Sequence, residues 1–437
     1  MTLRRPLLDL AGIGIGPFNL SLAALADGVA DLDCAFFERK PRFSWHPGLA
    51  FPDSVLQTSF LKDLVTPVRP TSPWSFVNFL VAHGRFFDFL SGRFAAVSRR
   101  EFTQYMAWVA GGLEGCRFGA GIAEIDHDGG RFVLRGQDGQ VTHSRAIAVG
   151  TGLTPRLPEG APLGPDCLHV ESFLTRPPRI EGRRVVVIGG GQSGAEVMLD
   201  LLGRAGRPAS ITWISRRDGF WSLQEGGLVD QFFTPGYLGA YRSWGPEGQA
   251  ASRASLKYAS DGLTPATCDA LYAALYRRRH VEGAGDVTLR PGRHVARIDR
   301  GARGGFAVET RDPEGGRARV GADVVLLATG FETRLPACLG PLAGRLGRGP
   351  GGGLRLDDGY RAAWDGPAEA AIYGLNQGRD SHGLIDPQLS MAAWRSAAIL
   401  NDLTGREEFD LARRDPGLVD WPRGAAPAVA RTVAAVS

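Results

Sequence analysis

An α/β fold built on two βαβ nucleotide-binding units follows from three features of the sequence. An apolar run from Leu7 to Ile13 feeds the glycine turn Gly14-Ile15-Gly16-Pro17-Phe18-Asn19. A second run, Arg184-Val185-Val186-Val187-Ile188, feeds Gly189-Gly190-Gly191-Gln192-Ser193-Gly194. Each turn opens a helical stretch, and strand, glycine turn and helix together make the cradle in which backbone N–H groups hold a pyrophosphate. With 437 residues, 43% of them hydrophobic, the chain is long enough for two or three domains around a sizeable core.

In the first unit Leu7 to Ile13 reads as a strand, Phe18 to Ala26 as a helix, and Asp33 to Phe37 as the next strand, ending on Glu38. Glu38 lies about 20 residues past the glycines, where a carboxylate accepts hydrogen bonds from an adenosine ribose. Asn19 replaces the third glycine of G-x-G-x-x-G; it fits a close turn and can cap the helix or bond a phosphate. From Phe43 to Leu90 no long period is visible, and an irregular connection of that length inside a domain is usually functional. Arg100 to Leu113 has helical spacing, and Gly119 to Val149 reads as a β-meander returning to Gly150-Thr151-Gly152. Prolines and glycines from Pro155 to Pro165 mark a linker.

The second unit begins near Arg183 and carries a helical insertion, clearest from Thr264 to Arg279. Asp323 to Leu327 runs into Ala328-Thr329-Gly330 and is expected to cross back to the first unit. Gly349 to Gly353 reads as a flexible loop and Gln388 to Leu403 as a final helix. The expected division is 1–167 for the first part of one unit, 168–324 for the other with a substrate-binding insertion at about 222–280, and 325–437 for the return.

The charge balance, 50 Lys+Arg against 46 Asp+Glu, is spread along the chain and too weak to argue for nucleic acid or an anionic membrane. Basic pairs such as Arg4-Arg5 and Arg99-Arg100 read as solvated surface. The five cysteines are scattered, with no C-x-x-C pair for a redox dithiol or a metal, and a reducing compartment suits them. Asp9, Asp27 and the glycine turn interrupt the N-terminal apolar stretch, which argues against a signal peptide. No run approaches the ~20 apolar residues of a membrane span. A cytoplasmic protein is expected.

The strand ends distinguish the nucleotides. Glu38 suits an unphosphorylated ribose, as in FAD. Ile211 to Ile214 ends instead in Ser215-Arg216-Arg217, which offers hydrogen bonds and positive charge to a 2′-phosphate. FAD is therefore expected on the first turn (Gly14, Gly16, Pro17, Asn19) and NADPH on the second (Gly189, Gly191, Gln192, Ser193, Gly194).

Gly12 to Leu20, Phe43-Ser44-Trp45-His46-Pro47-Gly48, Ser59-Phe60-Leu61-Lys62-Asp63-Leu64-Val65, Pro70 to Phe76, Gly189 to Glu196, Ala328-Thr329-Gly330 and Ala393-Trp394-Arg395-Ser396-Ala397 together resemble the flavin-dependent amine N-hydroxylases of siderophore biosynthesis. The lysine-hydroxylating branch is nearer than the ornithine-hydroxylating one, and the similarity runs from about Asp9 to Asn401. The resemblance implies that NADPH reduces FAD, that O2 adds as a C4a-hydroperoxyflavin, and that a substrate amine takes the distal oxygen. It implies Lys62 as the residue binding the substrate α-carboxylate, Gln57 as a flavin contact, and Trp45 and His46 beside the isoalloxazine. Thr329 and Gly330 would join the cofactor site, and Ser390 would lie near flavin and substrate carboxylate. Where the ornithine enzymes hold substrate with asparagines, this chain has Asp230 and, at the second position, Ser260 or Asp261. The implied partners are a small-molecule amino acid or amine, O2 and further copies of the chain.

Ornithine or a diamine stays open as substrate. A dithiol reductase lacks its cysteine pair. A Baeyer–Villiger or sulfur monooxygenase is only approximated by Gly164, His169 and Phe173, and a non-enzymatic flavin-binding protein would have no use for the NADPH features and Lys62.

Overall fold

The computed structural model describes residues 7–301, 304–412 and 417–424; Arg4-Arg5 lies outside them. Strand β1 (Leu8–Ile13) is flanked in parallel by β2 (Cys34–Glu38) and by β6 (Val141–Val149). A strand covered on both faces must be apolar nearly throughout, which is why its sequence runs without alternation. Helix α1 (Pro17–Ala26) starts on a proline, whose missing N–H would have been unpaired there anyway, and is buried at nine positions. Strands β3 (Cys116–Phe118), β4 (Ile122–Asp128) and β5 (Arg131–Gly136) complete the path β3-β2-β1-β6-β5-β4, and a late strand, Ile372–Gly374, adds to β6 in parallel.

The stretch expected to be irregular contains two short helices, α2 (Phe76–Ala82) and α3 (Phe86–Gly92), before α4 (Arg99–Gly112). Their period was hidden because apolar side chains surround them: Phe76 and Phe79 are buried while Val81, Phe87 and Leu90 face solvent. Ser75 caps α2 through Asn78 N, and Ser98 caps α4 through Glu101 N, the Ser-x-x-Glu spacing of a capping box.

The second unit is a parallel sheet of β8 (Cys167–His169), β9 (Arg184–Ile188), β10 (Ser210–Ile214), β11 (Val287–Arg290) and β15 (Val324–Leu327), in the order β11-β10-β9-β15-β8. Helix α5 (Gln192–Gly203) follows the second glycine turn, and an antiparallel trio, β12 (His294–Arg300), β13 (Phe306–Arg311) and β14 (Arg317–Ala322), packs nearby. Two boundaries move. Cys167 opens β8 of this sheet, and β15 does not cross back but lies between β9 and β8. The crossing comes after it, in β16 (Phe331–Glu332), which pairs antiparallel with the outgoing connection β7 (Thr154–Pro155).

The insertion between β10 and β11 holds α6 (Gly227–Asp230), α7 (Pro235–Ser243), α8 (Pro246–Ser255), α9 (Lys257–Ser260) and α10 (Pro265–Tyr276). Thr234 and Thr264 cap α7 and α10, each followed by proline. Although its sequence belongs to the second unit, α7 packs Tyr237, Leu238 and Tyr241 on Leu384, Ile385 and Met391 of the return segment. There α11 (Arg379–His382) and the last helix, α12 (Ala392–Thr404), follow the Ile372–Gly374 strand, β17. Helix α12 meets α1, with Ser396 Oγ 3.0 Å from Ser21 Oγ. The Gly349 to Gly353 run is a pinned turn: Arg348 bridges Leu354, and Gly351 N donates to the Asp380 carboxylate at 2.7 Å.

Candidate functional site

Both glycine turns need glycine for the same reason. Gly14 has φ +83° and a Cβ on it would lie 2.7 Å from Gly150 O. Gly189 has φ +124°, and its Cβ would lie 2.0 Å from Ala328 O. Each turn is thus pressed beneath the exit of a neighbouring strand, Gly150-Thr151-Gly152 or Ala328-Thr329-Gly330. Gly16 and Gly191 then stand at the N-caps of α1 and α5 without any side-chain cap, and nothing lies within 4 Å of a Cβ placed on Gly191. Uncapped first-turn N–H groups with open space before them suit a phosphate group, so the residues present fit two dinucleotides.

Several of the expected site residues also hold the protein's own backbone or side chains. Glu38 is buried, its carboxylate accepting from Ile15 N in the first turn and from Lys40 N, both at 3.0 Å. Asn19 neither caps α1 nor faces the open side of the turn. Its Nδ2 donates inward to the carbonyls of Gly14 (2.8 Å), Ile13 (3.1 Å) and Ala148 (3.3 Å), tying β1 to β6. Gln192 also turns away from the cradle: its amide donates to Glu196 and Thr267 and accepts from Thr264 N. Ser193 is half-buried in the first turn of α5, and a Cβ on Gly194 would meet Gly189 O at 2.2 Å.

Of Ser215, Arg216 and Arg217, one is presented to solvent. Ser215 is fully buried, its hydroxyl packed under Gly190 and accepting from Arg217 N. Arg217 donates to Asp261 O and lies over the Tyr258 ring, which fastens the insertion to the end of β10. Arg216 is exposed, and among the described residues it has no ion-pair partner.

The Trp45 segment reaches the crossing strand through His46. His46 sits in a left-handed conformation (φ 42°) with its ring 5.4 Å from Trp45 and 6.1 Å from Phe331 of the crossing strand. Phe331 also meets His169, whose Nε2 lies 3.1 Å from Gly330 O. His46 keeps exposed surface while protein crowds it, and that crowding, with Arg99 and Lys40 nearby, lowers its pKa to about 4. Thr329 donates its hydroxyl to Arg156 O across the paired crossings.

Lys62 is half-exposed. It does not pair with Asp63, whose buried carboxylate accepts from Val65 N (2.9 Å), Thr66 N (2.6 Å), Thr66 Oγ1 (2.8 Å) and Phe76 N (2.6 Å). Asp63 therefore pins the Lys62 loop to the start of α2 and leaves the lysine ammonium without an ion pair among the described residues. Gln57 is exposed on the same stretch. Asp230 is exposed on α6 and Ser260 half-buried at the end of α9; no hydrogen bond or ion pair joins either to Lys62 among the described residues. Asp261 faces Arg379 at 3.5 Å. The Ser390 hydroxyl is buried with no partner, and such a donor is costly unless something accepts from it. Among the described residues no cluster of His, Cys, Asp or Glu could hold a metal, and no helix is long and apolar enough to cross a membrane.

The sequence reading missed Arg99 and Glu196. Arg99, taken for solvated surface, forms a part-buried ion pair at 3.3 Å with Glu196 of the other unit. Nothing local in Ser98-Arg99-Arg100-Glu101 signals a partner so far along the chain.

Residues 6–333 match the family model described as L-lysine 6-monooxygenase/L-ornithine 5-monooxygenase. The chain is 38% identical over 421 residues to the L-lysine N6-monooxygenase of Escherichia coli, covering 95% of this chain and 99% of that one. The crystal structure of an FAD-bound cadaverine monooxygenase from the desferrioxamine pathway of Erwinia amylovora superposes with a TM-score of 0.89 at 27% identity, over 97% of this chain and 100% of that one. An ornithine N-hydroxylase from Kutzneria, solved with reduced FAD, NADP+ and L-ornithine, gives 0.84 at 29%, over 92% and 100%. Two nucleotide cradles and similarity along nearly the whole chain lead to one conclusion: this protein belongs to the L-lysine 6-monooxygenase/L-ornithine 5-monooxygenase family, the FAD- and NADPH-dependent amine N-hydroxylases of siderophore biosynthesis.

Proposed function

We propose that the protein N-hydroxylates the side-chain amine of L-lysine, giving N6-hydroxylysine in the cytoplasm for a hydroxamate siderophore. The observation that carries this reading is Lys62, held on a loop pinned by Asp63 and left without an internal counter-ion. An ammonium so placed has a use for an α-carboxylate, which lysine and ornithine possess and a diamine lacks. The 38% identity to a lysine enzyme over nearly the whole chain supports lysine over ornithine.

Bound FAD, once reduced by NADPH, supplies the oxygen-transfer chemistry. The chain's own work is placement. Gripping the α-carboxylate through Lys62 fixes the substrate by the end that does not react and leaves its amine to be directed toward the flavin. A protonated amine has no lone pair to attack with, and its solution pKa is near 10.4; exclusion of water favours the neutral form. The insertion, packed through α7 on the return segment, would provide that exclusion. Arg216 would meet the 2′-phosphate, Glu38 the adenosine ribose of FAD, and Ser390 the substrate or flavin.

A panel of lysine, ornithine, cadaverine and putrescine, scored for hydroxylamine formed per NADPH oxidised, tests the reading. Lysine is expected to win. Lys62→Ala should raise its KM by about 10–100-fold, the loss of a charge-assisted contact of about 1.5–3 kcal/mol, with FAD content unchanged. Preference for a diamine, or an unaltered KM in the variant, would refute the assignment.

A further inference from the structure

Directly behind the second cradle, side chains from three parts of the molecule meet. Arg99, at the first position of α4 in the flavin unit, donates through Nη1 to Leu49 O (3.3 Å) and to Glu196 Oε2 (3.3 Å), while its Nη2 faces Glu196 Oε1 at 3.3 Å. Glu196 lies one turn into α5 and is 7% exposed. Its Oε1 also accepts from Gln192 Nε2 at 3.1 Å, and Gln192 is the residue with which α5 begins. The same Gln192 amide donates to Thr267 Oγ1 (2.9 Å) and accepts from Thr264 N (2.9 Å), the capping end of insertion helix α10. Leu49, whose carbonyl Arg99 holds, follows Trp45 and His46 by a few residues.

The network does not stand alone. Leu49 and Phe51 of the flavin unit are buried in the core of the second unit with Phe173, Val197, Leu263 and Leu271. Leu174 N donates to Gly48 O at 3.0 Å, and a Cβ on Gly48 would lie 1.9 Å from Glu171 O. Apolar burial thus presses the two units together here, but without direction. The ion pair supplies direction: two parallel contacts from a planar guanidinium to one carboxylate fix an orientation as well as a distance.

We propose that Arg99 and Glu196 are positioning residues for hydride transfer: through Gln192 they set the register of the nucleotide-bearing helix α5 against the flavin unit, and they couple it to the insertion. In that step a hydride leaves the nicotinamide of NADPH, which becomes NADP+, and is accepted by the flavin, which becomes reduced. Donor and acceptor ride on different units, so the reacting distance depends on what joins the units. An error on the order of 1 Å there can cost about a hundredfold in rate.

The test uses the FAD-loaded full chain with Glu196→Gln, Arg99→Met and the double variant. Anaerobic stopped-flow should show flavin reduction by saturating NADPH slowed on the order of tenfold or more in each single variant. FAD content and reduction by dithionite, which needs no docked nucleotide, should not change. Because both residues serve one contact, the double variant should be no slower than the worse single one. Should Arg99→Met fail to fold with Glu196 left unpaired, Glu196→Asp keeps the charge while withdrawing the carboxylate by one methylene, and the same slowing is expected. Reduction within about twofold of the unsubstituted rate, effects that simply add, or a deficit abolished by saturating NADPH would each overturn the proposal.

Discussion

Gly14 and Gly189 are demanded by positive φ and by a carbonyl that leaves no room for a Cβ, constraints expressed within a few residues. Asn19 and Gln192 lie at motif positions, yet each spends its polar group on a strand or helix distant in sequence, while the buried Ser215 hydroxyl accepts from Arg217 N two residues on. Arg216 is the exception, exposed at the end of β10. Arg216→Ala should therefore lower the preference for NADPH over NADH by about tenfold, a charge-assisted phosphate contact of roughly 1.5–3 kcal/mol being lost. Comparing kcat/KM for the two nucleotides measures this, and an unchanged ratio would leave the 2′-phosphate to other groups.

At the scale of elements, the strands and helices of the two βαβ units could be read closely because a buried parallel strand and a capped helix each carry a local signature. Helices α2 and α3 could not, since each is only two turns long and sits among aromatic residues that obscure any period. Nothing in the sequence from Trp45 to Phe51 signals the structural role that this segment has. It wedges two side chains into the core of the other unit, and Phe51 meets Phe173 at 5.9 Å. Phe51→Ala should cost about 3–5 kcal/mol, as for other buried phenylalanines. Equilibrium denaturation followed by flavin fluorescence would show it, and a cost below about 1 kcal/mol would mean that the wedge is not part of that core.

Across the whole molecule, stability should depend on pH through the joint between insertion and return segment. His382 is 1% exposed, stacked on Tyr360 at 4.2 Å, and its Nε2 accepts from Arg242 of α7 at 2.8 Å. Burial, followed by the charges of Arg242 and Arg395, holds its pKa well below 6.5. The unfolded chain therefore takes up a proton near pH 6.5 that the folded one refuses, so stability contributed above that pH is lost as pH falls below it. The melting temperature should drop on going from pH 7.5 to 5, and His382→Gln should flatten that slope. A slope unchanged by the substitution would place the dependence on other groups.

The order in which the sheets are completed also bears on how the protein is made. Every strand of the second sheet lies between Cys167 and Leu327, but the first sheet begins at Leu8 and receives its last strand, β17, only at Ile372. Helix α1 waits longer still for α12 to cover it. During synthesis, then, the half of the molecule that starts first finishes last, with the apolar faces of β6 and α1 open while the second sheet is already able to close. Apolar surface left open in this way makes a nascent chain prone to aggregation until its covering helix has been made.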